Sequence, residues 1–168
     1  MSPSQIQFEQ WVPFPVEQVF RFFANPENLP RIMPPTTATR LLELRLVLPQ
    51  GALADGPVLA GVGSQIVTSF RVFPFLLSRA KWIAEITEFE WNHHFADIQR
   101  RGPFKSFHHR HELTAENRGS IAGTTVCDVI TYDVGFGALG RLADKLFIRP
   151  QMRKTFAYRQ QALGKLLA

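Results

Sequence analysis

At 168 residues, with 45% hydrophobic side chains and 15 phenylalanines, the chain is sized for one domain around one core, which excludes a disordered polypeptide. No uncharged apolar run approaches the roughly 18 residues that span a bilayer, and the first residues are polar, so neither a membrane span nor a signal peptide is expected. The net charge of +5 is concentrated in residues 137–168, where Arg141, Lys145, Arg149, Arg153, Lys154, Arg159 and Lys165 stand against the single acid Asp144. Such a face is ordinarily the solvated side of an amphipathic helix, and no nucleic acid partner is expected.

The lone Cys127 has no partner for a disulfide or a thiolate metal site, which suits a reducing compartment and makes the cytoplasm the expected location. Residues 5–12 alternate, with Ile6, Phe8 and Val12 on one side, and predict a strand. Pro13 and Pro15 end it. Val16, Val19, Phe20 and Phe23 then follow at helical spacing, predicting a short helix that stops near Asn25-Pro26, with another turn from Glu27 to Ile32. Leu42, Leu44, Leu46 and Leu48 share one strand parity. Residues 64–73, 81–89, 94–100, 104–115 and 123–133 supply five more strands on short links, which favour antiparallel neighbours. Residues 49–63 are too long for a tight hairpin, and loops of that length often serve as lids.

From about residue 138 to 167 the period is helical again, with Leu139, Leu142, Leu146, Phe156, Leu163 and Leu167 near one stripe and Pro150 as an expected kink. The triplet of glycines at 135, 137 and 140 imitates a dinucleotide fingerprint, but no further strand follows, so it reads as a tight turn into the helix. The order predicts an α+β domain over residues 1–168: a curved antiparallel sheet of about seven strands wrapped around one long C-terminal helix. One helix about 10 Å wide cannot fill the concave side of such a sheet, so a pocket is expected at the unfilled end.

The stretch from Trp11 to Pro15, with Val19-Phe20, Phe23 and Asn28-Leu29, resembles the start of the polyketide cyclase/dehydrase-like ligand-binding proteins. Trp82 and Ile86, Phe95-x-Asp97-x-Gln99, Gly102-Pro103-Phe104, His109-x-His111, Asp128, Tyr132 and Phe156-x-Tyr158-Arg159 are similar to the rest of that family's pattern. The resemblance runs end to end and implies the helix-grip fold of the START and Bet v 1-like (SRPBCC) superfamily, whose members bind lipids, sterols, polyketides, quinones or plant hormones. Phe107 stands where the pattern suggests Trp.

Strand parity places Phe107, His109 and His111 on the inner face, with Phe95, Asp97 and Gln99 from the preceding strand and Asp128, Ile130 and Tyr132 from the last. Together with Trp82, Ile86, Leu139, Leu142 and Leu146 these form the expected cavity wall. Buried polar groups must pair, so the network either fixes the register of three strands or points in part at a ligand. His109, His111 and one Asp could meet a divalent ion facially, but the pattern is common on strands and no metal is assigned. Arg159 is expected to reach the first helix's C-terminal carbonyls or an acidic partner at the pocket wall, and ligand binding to weaken as pH falls through the histidine range.

The leading expectation is non-catalytic carriage of an apolar small molecule, without a cofactor, by a monomer or homodimer. The alternative is a cyclase or dehydratase in which His109 or His111 is the acid/base, Asp97 or Asp128 orients it and Tyr132 polarises a carbonyl. A third reading is peripheral contact with a membrane or a protein through the basic C-terminal helix or through the apolar connection Val72-Phe73-Pro74-Phe75-Leu76-Leu77.

Overall fold

The computed structural model describes residues 3–53, 55–71 and 78–168, so the apolar segment 72–77 lies outside the described residues. Strand β1 (Ser4–Val12) is followed by helix α1 (Val16–Ala24), a 3-10 turn at Pro26–Asn28, the short helix α2 (Leu29–Ile32) and a second 3-10 turn at Pro35–Thr37. Six strands then run in succession: β2 (Arg40–Arg45), β3 (Gln65–Arg71), β4 (Arg79–Glu90), β5 (His94–Arg101), β6 (Ser106–Ala115) and β7 (Thr124–Asp133). They form one antiparallel seven-stranded sheet in the order β1-β7-β6-β5-β4-β3-β2. The C-terminal helix comprises α3 (Gly137–Ala143), a π-turn at Asp144–Ile148 and α4 (Arg149–Leu167), 31 residues in all. A curved sheet gripping one long helix is the fold expected from the sequence.

Helix α1 forms where the spacing predicted it. Val19 and Phe20 are fully buried, and Phe20 meets Phe89 and Phe95 edge to face at 5.2 and 5.9 Å. Burial of such a ring is worth about 2 to 3 kcal/mol. The helix ends at Asn25, whose Oδ1 accepts from the Glu27 amide at 2.9 Å while Pro26 prevents continuation. Phe23 is left half-buried, facing the interior of the sheet.

Two expectations from periodicity fail here. In β2 the pairing register with β3 shifts between Leu41 and Glu43, and this irregularity turns Leu41 and Leu44 inward while Leu42 is exposed. Leu46 and Leu48 lie beyond the strand and are exposed as well. The 49–63 segment is held at its far end, where the Ala60 amide donates to Ala24 O and the Gly61 amide to Val47 O, with Leu59 and Ala60 in the core.

The larger correction concerns Leu139, Leu142 and Leu146, which are exposed to 70%, 54% and 54% instead of facing the sheet. An unbroken α-helix turns about 100° per residue, so Gly140 and Asp144 would lie about 160° and about 120° away from Phe156. The π-turn inserts one residue into the helical count and brings both of them to the buried side with Phe156. The leucines, placed by a regular period, are carried outward. Pro150, which donates no bond, directly follows this wider turn, and the helix runs on without a break.

The glycine-rich entry to α3 is the tight turn expected. Gly135, Phe136 and Gly137 all have positive φ, at 77°, 57° and 58°, and a Cβ at Gly140 would lie 1.8 Å from Gly135 O. No helix among the described residues is long and apolar enough to cross a membrane.

Candidate functional site

Between the concave face of the sheet, α1, α2 and α4 lies a cavity of about 380 Å³. Its wall includes Trp82, Ile86, Phe95, Asp97, Phe107, His109, His111 and Ile130, eight of the residues placed there from sequence. Alternation along β6 makes this possible: His109 and His111 are buried, and Phe107 is half-buried on the same face. Register then sets the neighbours. His109 lies opposite Asp97 on β5 and Ile130 on β7, and His111 lies opposite Phe95 and Asp128.

His109 Nε2 lies 3.0 Å from Asp128 Oδ1. A carboxylate only accepts, so Nε2 carries the proton and Nδ1 is left facing Asp97 Oδ2 at 3.8 Å. His111 Nδ1 is 2.6 Å from the same Asp128 oxygen, close by distance but not by direction, and it has no hydrogen-bond partner. The two imidazoles lie 4.0 Å apart, and His111 stacks on Phe95 at 4.4 Å.

Burial, and next the neighbouring His111, push the His109 imidazole down to about 4, against the pull of Asp128 and Asp97. It is therefore neutral throughout the pH 5 to 8 interval in which the sequence had placed its titration. Burial raises the Asp97 carboxyl above its ordinary value, partly opposed by His109 and Arg159. For Asp128 burial also works upward, but His111 and the hydrogen bond from His109 outweigh it and hold the group well below the usual carboxylate range. Two adjacent carboxyls are thus driven apart, one toward the acid and one toward the anion.

Six residues expected on the wall are elsewhere. Leu139, Leu142 and Leu146 are outside for the reason given above. Gln99 turns along its strand, donating through Nε2 to Phe104 O at 2.7 Å and accepting from the Phe104 amide at 3.2 Å, so it fixes the β5–β6 turn. Asp128 sits behind the imidazoles and does not line the cavity. Tyr132 is fully buried, but its hydroxyl points away, to Asp144 Oδ1 at 2.5 Å, beside a smaller cleft that also includes Ser4 and Gly140. It cannot polarise a carbonyl in the main cavity from there.

The helices supply more of the wall than the sequence pattern predicts. Ile148, Met152, Thr155, Phe156 and Arg159 all face the cavity from α4 and the turn before it, and Phe22, Phe23, Ile32 and Met33 close it from α1 and α2. The spacing of 148, 152, 155, 156 and 159 is the signal that was available. Arg159 lies 4.8 Å over the Phe156 ring; burial lowers its pKa, and Asp128 and Asp97 pull it back. It feels the two carboxyls electrostatically but forms no ion pair with either, and it makes no hydrogen bond to the end of α1.

Asp97, His109 and His111 each offer a ligand atom within 4.8 Å of the others, the spacing of a facial set for a divalent ion. The guanidinium of Arg159, drawn to Asp97 and Asp128, works against a second cation there. Glu90, His93 and His94 share that spacing on the exposed β4–β5 turn. Cys127 lies outside the cavity wall, and burial raises its thiol, so it is a poor nucleophile.

The family model for polyketide cyclase/dehydrase and lipid transport matches residues 12–153. The chain belongs to that family. Among solved structures, TTHA0849 from Thermus thermophilus is 18% identical with a TM-score of 0.66, covering 98% of this chain and 97% of its own. A START superfamily protein from Mycobacterium smegmatis is 12% identical with a TM-score of 0.66, covering 97% and 96%. The Zhui aromatase/cyclase from Streptomyces sp. R1128 is 10% identical with a TM-score of 0.69, covering 98% and 93%. At these identities the likeness gives the START/Bet v 1 helix-grip fold. A comparison with curated proteins gives no match.

Proposed function

We propose that this member of the polyketide cyclase/dehydrase family binds and carries a hydrophobic small molecule of lipid, isoprenoid, quinone or polyketide character. The observation that carries this reading is the cavity itself: about 380 Å³, walled largely by aromatic and aliphatic side chains, with Asp97, His109, His111 and Arg159 among its polar groups. That volume suits a small ligand. The experiment is native mass spectrometry of protein purified from its own host, together with titration of the neutral probe N-phenyl-1-naphthylamine. A co-purifying apolar mass, and probe binding weakened by the cavity-filling Met152→Trp, are expected. Protein that is ligand-free and blind to the probe would sink the reading.

A second reading is acid-base catalysis on a bound polyketone, favoured by the His109 ring held between two carboxyls with Nδ1 free of a close donor. Turnover abolished in His109→Gln while the neutral probe still binds would support it. Unchanged turnover in that variant would exclude His109 as the acid/base.

We further place the protein in the cytoplasm, as a monomer or homodimer, and in peripheral contact with anionic membrane. Phe136, Leu139, Leu142, Leu146 and Phe147 are all more than half exposed on the outside of one helical segment, and Phe147 also lines the cavity. Arg141 and Lys145 are interleaved with them, while the one acid there, Asp144, is buried. An apolar stripe with a basic flank matches an anionic lipid surface, whereas a second copy would oppose like charges. Flotation with anionic liposomes, lost in a Leu139→Ser, Leu142→Ser, Leu146→Ser variant, is expected. Protein that stays in the lower fraction at low salt, or a concentration-dependent dimer lost in the same variant, would overturn the membrane assignment.

A further inference from the structure

The cavity wall holds buried polar groups that no acceptor answers. Among the described residues, two buried side-chain polar atoms lack a partner, Arg71 Nε and His111 Nδ1, and both belong to residues of the cavity wall. Arg159 is a third open group: it lines the same wall, lies over the Phe156 ring, and makes neither a hydrogen bond nor an ion pair with the described residues. The carboxyls nearby do not answer it: Asp128 and Asp97 act on Arg159 electrostatically, and neither forms a hydrogen bond or an ion pair with it.

A buried donor without an acceptor is costly, and a charged one more so, which is why native interiors leave few of them. Here the open groups converge on one apolar chamber, and two of the three belong to guanidinium groups. What the chamber lacks is a partner that brings negative oxygen with it. Arg is the side chain whose planar fork fits a carboxylate through two parallel hydrogen bonds.

Resting on the proposed role of the cavity as a ligand site, we propose that its ligand is an amphipathic carboxylic acid, the carboxylate received by Arg159 beside His111 and the apolar body lying along Trp82, Phe107 and Ile130. Arg71 lies farther along the wall, on the strand that pairs with Trp82, and is open to a second oxygen on the ligand's body. The inference narrows the ligand class from any apolar molecule to an acid.

The test uses 1-pyrenebutyric acid and its methyl ester, which share one apolar body and differ in charge. Their affinities are measured by fluorescence at pH 7 in the wild type, Arg159→Met and Arg159→Lys, with circular dichroism as the folding control. The wild type is expected to prefer the acid by about tenfold or more, corresponding to about 1.4 kcal/mol. Arg159→Met should bind the ester undiminished and lose the preference, while Arg159→Lys keeps part of it, since the charge remains but the fork is gone. Equal affinities in the wild type, or a preference that survives in Arg159→Met, would overturn the inference while leaving the cavity a site for neutral ligands. Failure of acid, ester and N-phenyl-1-naphthylamine alike would overturn the proposed function along with it.

Discussion

The Tyr132 hydroxyl donates to Asp144 Oδ1 at 2.5 Å, so the last strand is tied to the π-turn of the C-terminal helix by a single buried bond. Ser4 Oγ donates to the other oxygen of Asp144 at 3.1 Å, which brings the first strand into the same joint. Tyr132→Phe should therefore lower stability by about 1 to 3 kcal/mol in urea unfolding, the cost of leaving a buried acceptor without its donor. Burial, and then the bond to Asp144, raise the phenol to about 12, so the folded state keeps its proton where an unfolded tyrosine loses it near about 10. That contribution is fully present below about pH 10 and is lost as pH rises toward 12. The decline should be steeper in the wild type than in Tyr132→Phe.

His109 gives the opposite pH signature. With its imidazole pushed down to about 4, the unfolded chain binds a proton between about pH 6.5 and 4 that the folded chain refuses, so this group makes stability fall as pH drops through that window. The groups facing it are Asp97, Asp128, His111 and, from α4, Arg159. Histidine NMR should find the His109 ring neutral at pH 5, and His109→Gln should flatten the acid limb of the stability curve. A ring that titrates near 6.5 would contradict the burial argument. Apolar probe binding should then show no step from His109 between pH 8 and 5.

Gly102 is required by Gln99. A Cβ at position 102 would stand 2.3 Å from Gln99 Oε1 and 2.6 Å from its Cδ, and that side chain is pinned by two bonds to Phe104. Gly102→Ala should cost about 1 to 2 kcal/mol by breaking those bonds. In a Gln99→Ala background the space is vacant and the same substitution should cost clearly less, so a double-mutant cycle should give coupling of at least about 0.5 kcal/mol. Additive effects would show that the turn relies on something else.

Gly140→Ala tests the close approach at the start of the helix. The added methyl would meet the carbonyl of Gly135 at 1.8 Å, and that residue is itself at φ 77° in the turn, so the backbone has to move. Destabilisation of more than about 3 kcal/mol, or an insoluble product, is expected. Alanine at Gly164, where an added Cβ meets nothing within 4 Å, should be harmless by comparison.

What the sequence revealed follows from how local each signal is. The inner face of β5, β6 and β7 was legible because strand parity is strict: once Phe107 was placed inward, His109, His111 and their partners Asp97 and Asp128 followed. Parity says which face a side chain leaves from, not where its end goes, and so Gln99 and Tyr132 were assigned to the cavity although their polar ends bond elsewhere. Leu42 was misplaced by an irregular pairing and Leu139, Leu142 and Leu146 by a π-turn, each a shift that leaves composition and spacing untouched. Arg159 could be seen as unusual only by its neighbours Phe156 and Tyr158; that it opens onto the cavity without an ion-pair partner depends on three elements meeting in space.

The π-turn has a consequence for how this helix can change in length. Gly140 and Asp144 share a side with Phe156 only because one residue between them is taken up by the wider turn. Removing a residue there, such as the exposed Lys145, would leave an ordinary α-helix in which Asp144 and Gly140 lie about 20° and about 60° from Phe156, still on the buried side. The same deletion in the first turns of α4, with the π-turn kept, would turn Arg159 and Phe156 about 100° out of phase with everything before them. The Asp144–Ile148 segment is thus the joint at which this helix can give up one residue and keep its buried side.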